Sequence, residues 1–254
     1  MRRPERALLP GSILGVGCAL ALAACGSGGD DTSAGGSSTL PQGSEHASID
    51  PSEFTAEIDN PYWPMAPGSR WVYSEEEDGA SQRVVVTVTD DTKTIAGVKT
   101  RVVHDVVSDH GVTVEDTYDW YAQDSAGNVW YFGEDTTEYE HGKPASTEGS
   151  FEAGVDGAEP GIVVPADPAV GMTYREEYKA GEAEDRAGVL STDAQAEVPF
   201  GHFRDVVLTS NTNPLEPKVQ EYKLYARGVG PVMELLVSGG SGRTELLSFE
   251  RATG

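Results

Sequence analysis

The chain has 254 residues, of which 42 are acidic and 18 are basic, and 38% of its residues are hydrophobic. This apolar share is enough for a packed core, so the composition excludes wholesale disorder. The formal net charge of −24 comes without any cluster of Lys and Arg. It therefore excludes a nucleic-acid-binding protein, since phosphate recognition needs clustered positive charge, and it disfavours electrostatic docking onto anionic lipid.

The N-terminus has the layout of a lipoprotein signal peptide. A head with three arginines precedes an apolar run over residues 13–24. As a helix this run is about 18 Å long, too short for a bilayer core of about 30 Å. It ends in LAAC (residues 22–25), which looks like a lipobox, where small residues precede a cysteine that is lipidated. We predict lipidation of Cys25. An ordinary signal peptide with an incidental cysteine is the alternative.

Cysteine usage agrees with this interpretation. Cys18 lies within the apolar run and would be lost on cleavage, so the mature chain would keep no free thiol and no disulfide. Thiol catalysis, cysteine-bound zinc and redox switching are thereby excluded. Several acyl chains on Cys25 make a stable membrane anchor, at about 0.8 kcal/mol per buried CH₂. We expect a lipid-anchored protein on the extracytoplasmic face of the cell membrane.

The remaining chain divides by composition. Residues 26–50 contain twelve Gly or Ser and two large aliphatics, which is typical of a disordered tether. We predict a signal peptide over residues 1–24, the lipidated cysteine plus tether over 25–51, and a single β-rich domain over 52–254.

The domain shows β-strand patterning. In residues 82–89, for example, Val84, Val86 and Val88 share one face, and such period-two alternation predicts half-buried antiparallel strands. The best helical candidate, residues 180–191, is weakened by two glycines. The predicted fold class is all-β, a single antiparallel curved sheet or barrel-like domain with at most one short helix. The predicted strands are residues 70–75, 82–89, 100–108, 112–123, 128–133, 136–140, 172–179, 202–209, 219–226, 232–237 and 243–249.

One hairpin collects several aromatic residues. A three-residue loop with Gly127 in the left-handed region pairs Ala122 with Trp130 and Trp120 with Phe132. The face of the hairpin that carries these residues then either packs in the core, which is the interpretation we favour, or lines a pocket for an apolar or sugar-like ligand. The candidate ligand-facing aromatics are Tyr118, Trp120, Trp130 and Phe132. The other face would carry Asp119, Tyr121, Gln123, Val129 and Tyr131.

Four strings together support a resemblance. They are NPYWPMAPGSRWVY (60–73), DWYAQD (119–124) leading to GNVWYFGE (127–134), VPFGHF (198–203) and YARGVGPV (225–232). Residues 54–250 resemble an uncharacterised family of secreted bacterial β-rich proteins, many of them predicted lipoproteins. The closing string is also loosely similar to curved-sheet proteins of the lipoprotein-carrier type. The resemblance implies an envelope location and no known reaction, so it supplies no catalytic residues.

Motifs for catalysis are missing from the sequence. There is no serine elbow, zincin motif, phosphate loop or dinucleotide fingerprint, and we predict no cofactor. His104 is interpreted as a partly buried structural residue. Glu138 and Glu140 share one face of a predicted strand. They are weak candidates for Ca²⁺ ligands or for the acid and base of glycoside hydrolysis. The simpler interpretation is that they lie on a solvent-exposed edge strand. Glu75–Asp78 is interpreted as a hairpin tip.

Three functions remain open. The first, which the missing motifs favour, is a non-catalytic binding or structural lipoprotein of the envelope. The second is an envelope hydrolase that uses carboxylates, which a buried carboxylate pair facing one pocket would favour. The third is a carrier of a lipid-like ligand, which a dry aromatic groove would favour. The sequence names no ligand or protein partner beyond the membrane itself.

Overall fold

The computed structural model describes residues 40–77 and 79–252, so the predicted signal peptide and Cys25 lie outside the described residues. Within them the chain forms sixteen strands, one 3₁₀ turn and no α-helix, which confirms the predicted all-β class. None of these residues belongs to a helix long and apolar enough to cross a membrane. The 3₁₀ turn is Pro51–Glu53, and the strands are β1 (Phe54–Thr55), β2 (Arg70–Glu77), β3 (Ala80–Ile95), β4 (Val98–Asp109), β5 (Val112–Asp124), β6 (Val129–Glu140), β7 (Lys143–Ser146), β8 (Phe151–Glu152), β9 (Glu159–Val164), β10 (Thr173–Arg175), β11 (Glu177–Tyr178), β12 (Arg186–Val198), β13 (Gly201–Thr212), β14 (Gln220–Ala226), β15 (Gly230–Ser238) and β16 (Gly242–Glu250).

One antiparallel sheet contains these strands. Most are joined to their sequence neighbours by short turns, and β16 pairs with β2, so the end of the domain lies beside its beginning. The strand order is β10-β12-β13-β14-β15-β16-β2-β3-β4-β5-β6-β9-β11, with β1 on β5 and with β7 and β8 on β6. The two edge strands are separated along the chain by Glu176 alone, so both edges of the sheet meet there.

This meeting of edges nearly closes the sheet into a barrel, and a glycine permits it. Gly161 on β9 packs directly against the chain between β10 and β11, where an added Cβ would lie 2.3 Å from the carbonyl oxygen of Glu176. Real Cβ atoms do not approach a backbone oxygen so closely, so only glycine fits. The curved sheet thereby acquires an interior face, on which the site described below is built.

Two apolar clusters stabilise the fold. The larger fills much of the barrel interior and includes Trp71, Val84 and Leu246, all at most 1% exposed. The smaller contains Trp120 and Phe132 with their neighbours on β3 and β4. Because side chains alternate along a strand, this second cluster lies on the opposite, outer face of the sheet.

Residues 40–50, assigned by composition to the tether, lie against the barrel. Arg175, 1% exposed, donates from its guanidinium to the carbonyl oxygens of Gly43 and Glu45, the latter at 2.8 Å. The backbone N–H of Ala47 donates to Glu159 Oε2 at 2.9 Å. These contacts fix the segment beside the seam between the two sheet edges.

Several local predictions differ from the structure. Residues 180–191 are not helical: they form a turn and the start of β12, which pairs with β13. Strand β9 is absent from the predicted strands and pairs antiparallel with β6. Glu75 is not at a hairpin tip but within β2, where it is 9% exposed. Cross-strand pairing outweighed the weak helical composition of residues 180–191.

Candidate functional site

A cavity of about 60 Å³ lies inside the barrel. It has room for roughly four to six water-sized groups. Six carboxyl groups and one lysine line it, with aromatic and aliphatic side chains forming the rest of the wall. The charged lining residues are Asp105, Glu115, Asp119, Glu134, Glu176, Lys223 and Glu234, and the rings are those of Trp63, Tyr73, Tyr121 and Tyr225.

Strand β5 supplies four of the lining residues because its side chains alternate. Glu115, Thr117, Asp119 and Tyr121 occupy every second position and face the cavity. Tyr118, between two of them, points outward and is 42% exposed. On a half-buried strand the buried face is normally apolar. Since burying carboxyl groups costs stability, packing alone does not account for a polar row on that face.

Asp119 and Glu134 face each other across β5 and β6 and share one phenol. The Tyr131 hydroxyl oxygen lies 2.9 Å from Asp119 Oδ1 and 2.8 Å from Glu134 Oε2. A hydroxyl has one proton, so it donates to one carboxylate and accepts from the other, which must then be protonated. Burial raises the pKa of Asp119 to about 7 and, with the charge of Asp119, raises the pKa of Glu134 well above its usual range. The pair therefore holds a shared proton near neutral pH.

Asp105 is a buried carboxyl with an unused acceptor. Its side chain is 8% exposed and lines the cavity, and its Oδ1 has no hydrogen-bond partner among the described residues. Burial raises the pKa of Asp105 well above its usual range, and the carboxyls of Asp119, Glu115, Glu75 and Glu134 raise it further. Because leaving a buried acceptor unpaired is costly, Asp105 is where a donor from a ligand would bind.

Lys223 is the one basic residue among those that line the cavity. Burial alone would lower the pKa of its amine, but Glu176, Glu234 and Glu221 around it raise that pKa well above its usual value. Lys223 is therefore a permanent cation at physiological pH. Burial raises the pKa values of Glu176 and Glu234 to about 7, although Lys223 opposes the shift. The cavity thus combines six carboxyl groups with one lysine, and the strongest electrostatic effects on Asp105 come from other carboxyl groups.

Trp63 enters the cavity from the loop between β1 and β2. Asn60 anchors that loop: its backbone N–H donates to Gln123 Oε1 and its side-chain amide to the carbonyl of Gly127, both at 2.9 Å. Opposite the ring lies Gly230, with φ of 110°, where an added Cβ would come within 2.9 Å of Trp63 Cδ1. The first and last strings of the family resemblance therefore position one aromatic wall of the cavity.

The aromatic residues predicted to face a ligand lie elsewhere. Trp120 and Phe132 are 6% and 0% exposed within the outer cluster, and Trp130 packs against both clusters. Tyr118 stacks on His104 at the outer surface, with ring centroids 4.4 Å apart. The structure thus brings Trp120, Trp130 and Phe132 together as packed side chains. Neither these three residues nor Tyr118 line the cavity.

Glu138 and Glu140 lie toward the end of β6. Glu138 is half-buried, and burial together with Glu148 raises its pKa, whereas Glu140 is exposed. In residues 40–77 and 79–252, no three His, Cys, Asp or Glu side chains are arranged to hold a metal ion. Cys25 cannot be placed, since it precedes the described part of the chain.

Sequence reasoning missed the carboxyls of the cavity. A signal was present, because Asp105 lies beside His104 between two pairs of valines, at positions 102, 103, 106 and 107. The opposite face of the aromatic hairpin, with Asp119, Tyr121 and Tyr131, was identified but interpreted as the face away from core and ligand. Glu176 and Lys223 come to the cavity from distant parts of the chain, which no local pattern could indicate.

Comparisons with known proteins give little beyond architecture. No family model matches the chain, and no curated protein matches it. Among solved structures, the chain is similar to a protein from Bacteroides fragilis described as exported with a YmcC-like fold, at 14% identity and a TM-score of 0.43. It is also similar to a protein from Parabacteroides distasonis described as a lipoprotein, at 11% identity and a TM-score of 0.41. Each match covers 74% of this chain and 98% of the other. Likeness at this level carries no functional argument.

Proposed function

We propose that this protein is a lipid-anchored lipoprotein of the extracytoplasmic membrane face that binds a small polar molecule inside its barrel. The anchor rests on the LAAC string before Cys25. The binding role rests on the cavity, and above all on Asp105 Oδ1, a buried acceptor that faces the cavity without a partner among the described residues. A ligand that donates to this oxygen removes the cost of leaving it unpaired.

The same lining argues against a carrier of lipid-like ligands. An alkyl chain in this cavity would displace water from six carboxyl groups without offering them a hydrogen bond. Desolvating polar groups without compensation is unfavourable. The aromatic surface that would suit a lipid, around Trp120 and Phe132, is already filled by packing.

Binding can be tested on the purified full chain with three small probes of different charge: isobutylammonium, glycerol and acetate. Thermal melting and tryptophan fluorescence, to which Trp63 contributes from the cavity wall, report occupancy. We expect saturable stabilisation by one probe, abolished by Val163→Phe, since Val163 lines the cavity. Val112→Phe, at a position 58% exposed on β5, is the matched control and should bind normally. Absence of any saturable response, or equal responses in both variants, would refute binding in the barrel.

A second candidate is a hydrolase based on Asp119 and Glu134. The observation in its favour is that a protonated and an ionised carboxyl meet at Tyr131, the combination that general acid and base chemistry uses. Against it, the phenol stands between the two carboxyls, where a water or scissile bond would have to be. Hydrolysis of a panel of chromogenic glycosides, lost in Asp119→Asn, would establish this alternative; no turnover by the wild type would remove it.

A further inference from the structure

The charges of the cavity do not balance. Six carboxyls face one lysine, and Lys223 acts on Glu176, Glu221 and Glu234. The charged groups that act most strongly on Asp105 are all acidic. Buried charges are normally paired, so the carboxyl groups around Asp105 keep protons that they would lose at an exposed site. A positive charge placed there would supply the missing counter-ion.

Aromatic rings form part of the cavity wall, and Tyr131 packs behind one of them. The Trp63 and Tyr121 centroids are 5.4 Å apart, those of Trp63 and Tyr225 are 6.3 Å apart, and Tyr121 lies 5.0 Å from Tyr131. The faces of such rings attract cations, especially desolvated ones. A bare metal ion would instead need several oxygen ligands converging on one point, and no trio of acidic or histidine side chains in the described ranges does so.

We propose that the barrel binds a small monovalent organic cation, an ammonium group with attached hydrocarbon, whose charge lies beside Asp105 and whose carbon atoms contact Trp63 and Tyr121. This inference rests on the proposed function and names the chemical class of its ligand. A single added charge complements the one that Lys223 already supplies to the lining. The volume of about 60 Å³ limits the ligand to a handful of non-hydrogen atoms.

Proton release accompanies such binding. The groups that face the cation must ionise to pair with it, and their pKa values are raised, so affinity should increase from pH 5 to pH 8. The titratable and charged groups around the cavity are Tyr73 and Glu75 on β2, Asp105 on β4, Glu115, Asp119 and Tyr121 on β5, Tyr131 and Glu134 on β6, Glu176 between β10 and β11, Glu221, Lys223 and Tyr225 on β14, and Glu234 on β15.

The decisive experiment compares isobutylammonium with 2-methylpropan-1-ol, which has the same shape and also donates a hydrogen bond but carries no charge. Titration of the purified full chain by calorimetry at pH 8 should show the ammonium binding at least about tenfold more tightly, the difference that one desolvated charge contact makes. Asp105→Asn should weaken binding of the ammonium by a similar factor and leave the alcohol unchanged. Exposed Glu197→Gln is the control and should not alter either.

The outcomes separate the two proposals. Equal affinity for isobutylammonium and the alcohol, or ammonium binding that Asp105→Asn does not change, would overturn the cation proposal. If isobutylammonium fails but glycerol or acetate binds and Val163→Phe abolishes that binding, the cation proposal falls while binding inside the barrel stands. If Asp105→Asn does not fold, Trp63→Leu tests the cation proposal instead, because losing the ring should weaken binding of the ammonium more than binding of the alcohol.

Discussion

Replacing Glu115 with glutamine tests the electrostatics of the cavity directly. Glu115 lies on β5, is 9% exposed, and has a pKa raised by burial from 4.5 to about 7. The raised value means that the folded protein holds the proton more tightly than the unfolded chain does. Folding is therefore penalised once the pH is high enough for the unfolded chain to release that proton.

The size and sign of the effect follow from this difference. Below about pH 4 Glu115 is protonated in both states and contributes no penalty; the penalty grows as pH rises and is complete above the folded pKa of about 7. It amounts to about 3 kcal/mol at most. Glutamine never ionises and keeps an oxygen for the hydroxyl of Thr117, which donates to Glu115 Oε1 at 3.2 Å. Glu115→Gln should thus stabilise the protein at pH 8 and leave it unchanged at pH 4.

Thermal unfolding of the wild type and Glu115→Gln at pH 4, 6 and 8 measures this difference in stability. For a domain of about 200 residues, 3 kcal/mol corresponds to a rise in Tm of roughly 6–12 °C at pH 8. Glu197→Gln, on the exposed face of β12, should show no such pH-dependent gain. A destabilised Glu115→Gln at pH 8, or a difference that is the same at pH 4 and pH 8, would show that Glu115 is not a buried, repelled carboxyl and would refute the reasoning.

Three further results are expected. Cys25→Ser should release the protein from membranes or leave it unprocessed, and an unmodified cysteine in the intact mass of the membrane-extracted wild type would contradict the anchor. Arg175→Leu should destabilise the protein by about 2–5 kcal/mol, because the backbone carbonyls that accept from its guanidinium lose their donor. The same change should make residues 40–50 sensitive to protease. An unchanged midpoint of denaturant unfolding would count against this role of Arg175. Gly161→Val should prevent closure of the barrel, seen as loss of a cooperative melting transition, whereas Gly201→Val, at the start of β13 with nothing near its Cβ and no positive φ, should cost far less.

Local patterning predicted most of the strands. The turn at Gly127, whose φ is 96°, and the pairing of Ala122 with Trp130 both occur as expected. The pairing of Trp120 with Phe132 does not occur, because the register shifts between Asp119 and Tyr121 and places Asp119 opposite Glu134. That shift is a tertiary effect of the bend in the sheet, and it creates the carboxyl pair at Tyr131.

By itself, the sequence determined the all-β class and the two alternating faces of each strand, because period-two patterning depends on residues only two positions apart. It could not determine which face of β5 points into the barrel. An apolar row is buried either inside a closed sheet or beneath a covering segment, and here Ile49 and Phe54 cover Trp120 and Phe132 on the outside. Only closure at Gly161 then turned the polar row inward and brought Asp105 into one cavity with Lys223, more than a hundred residues away along the chain.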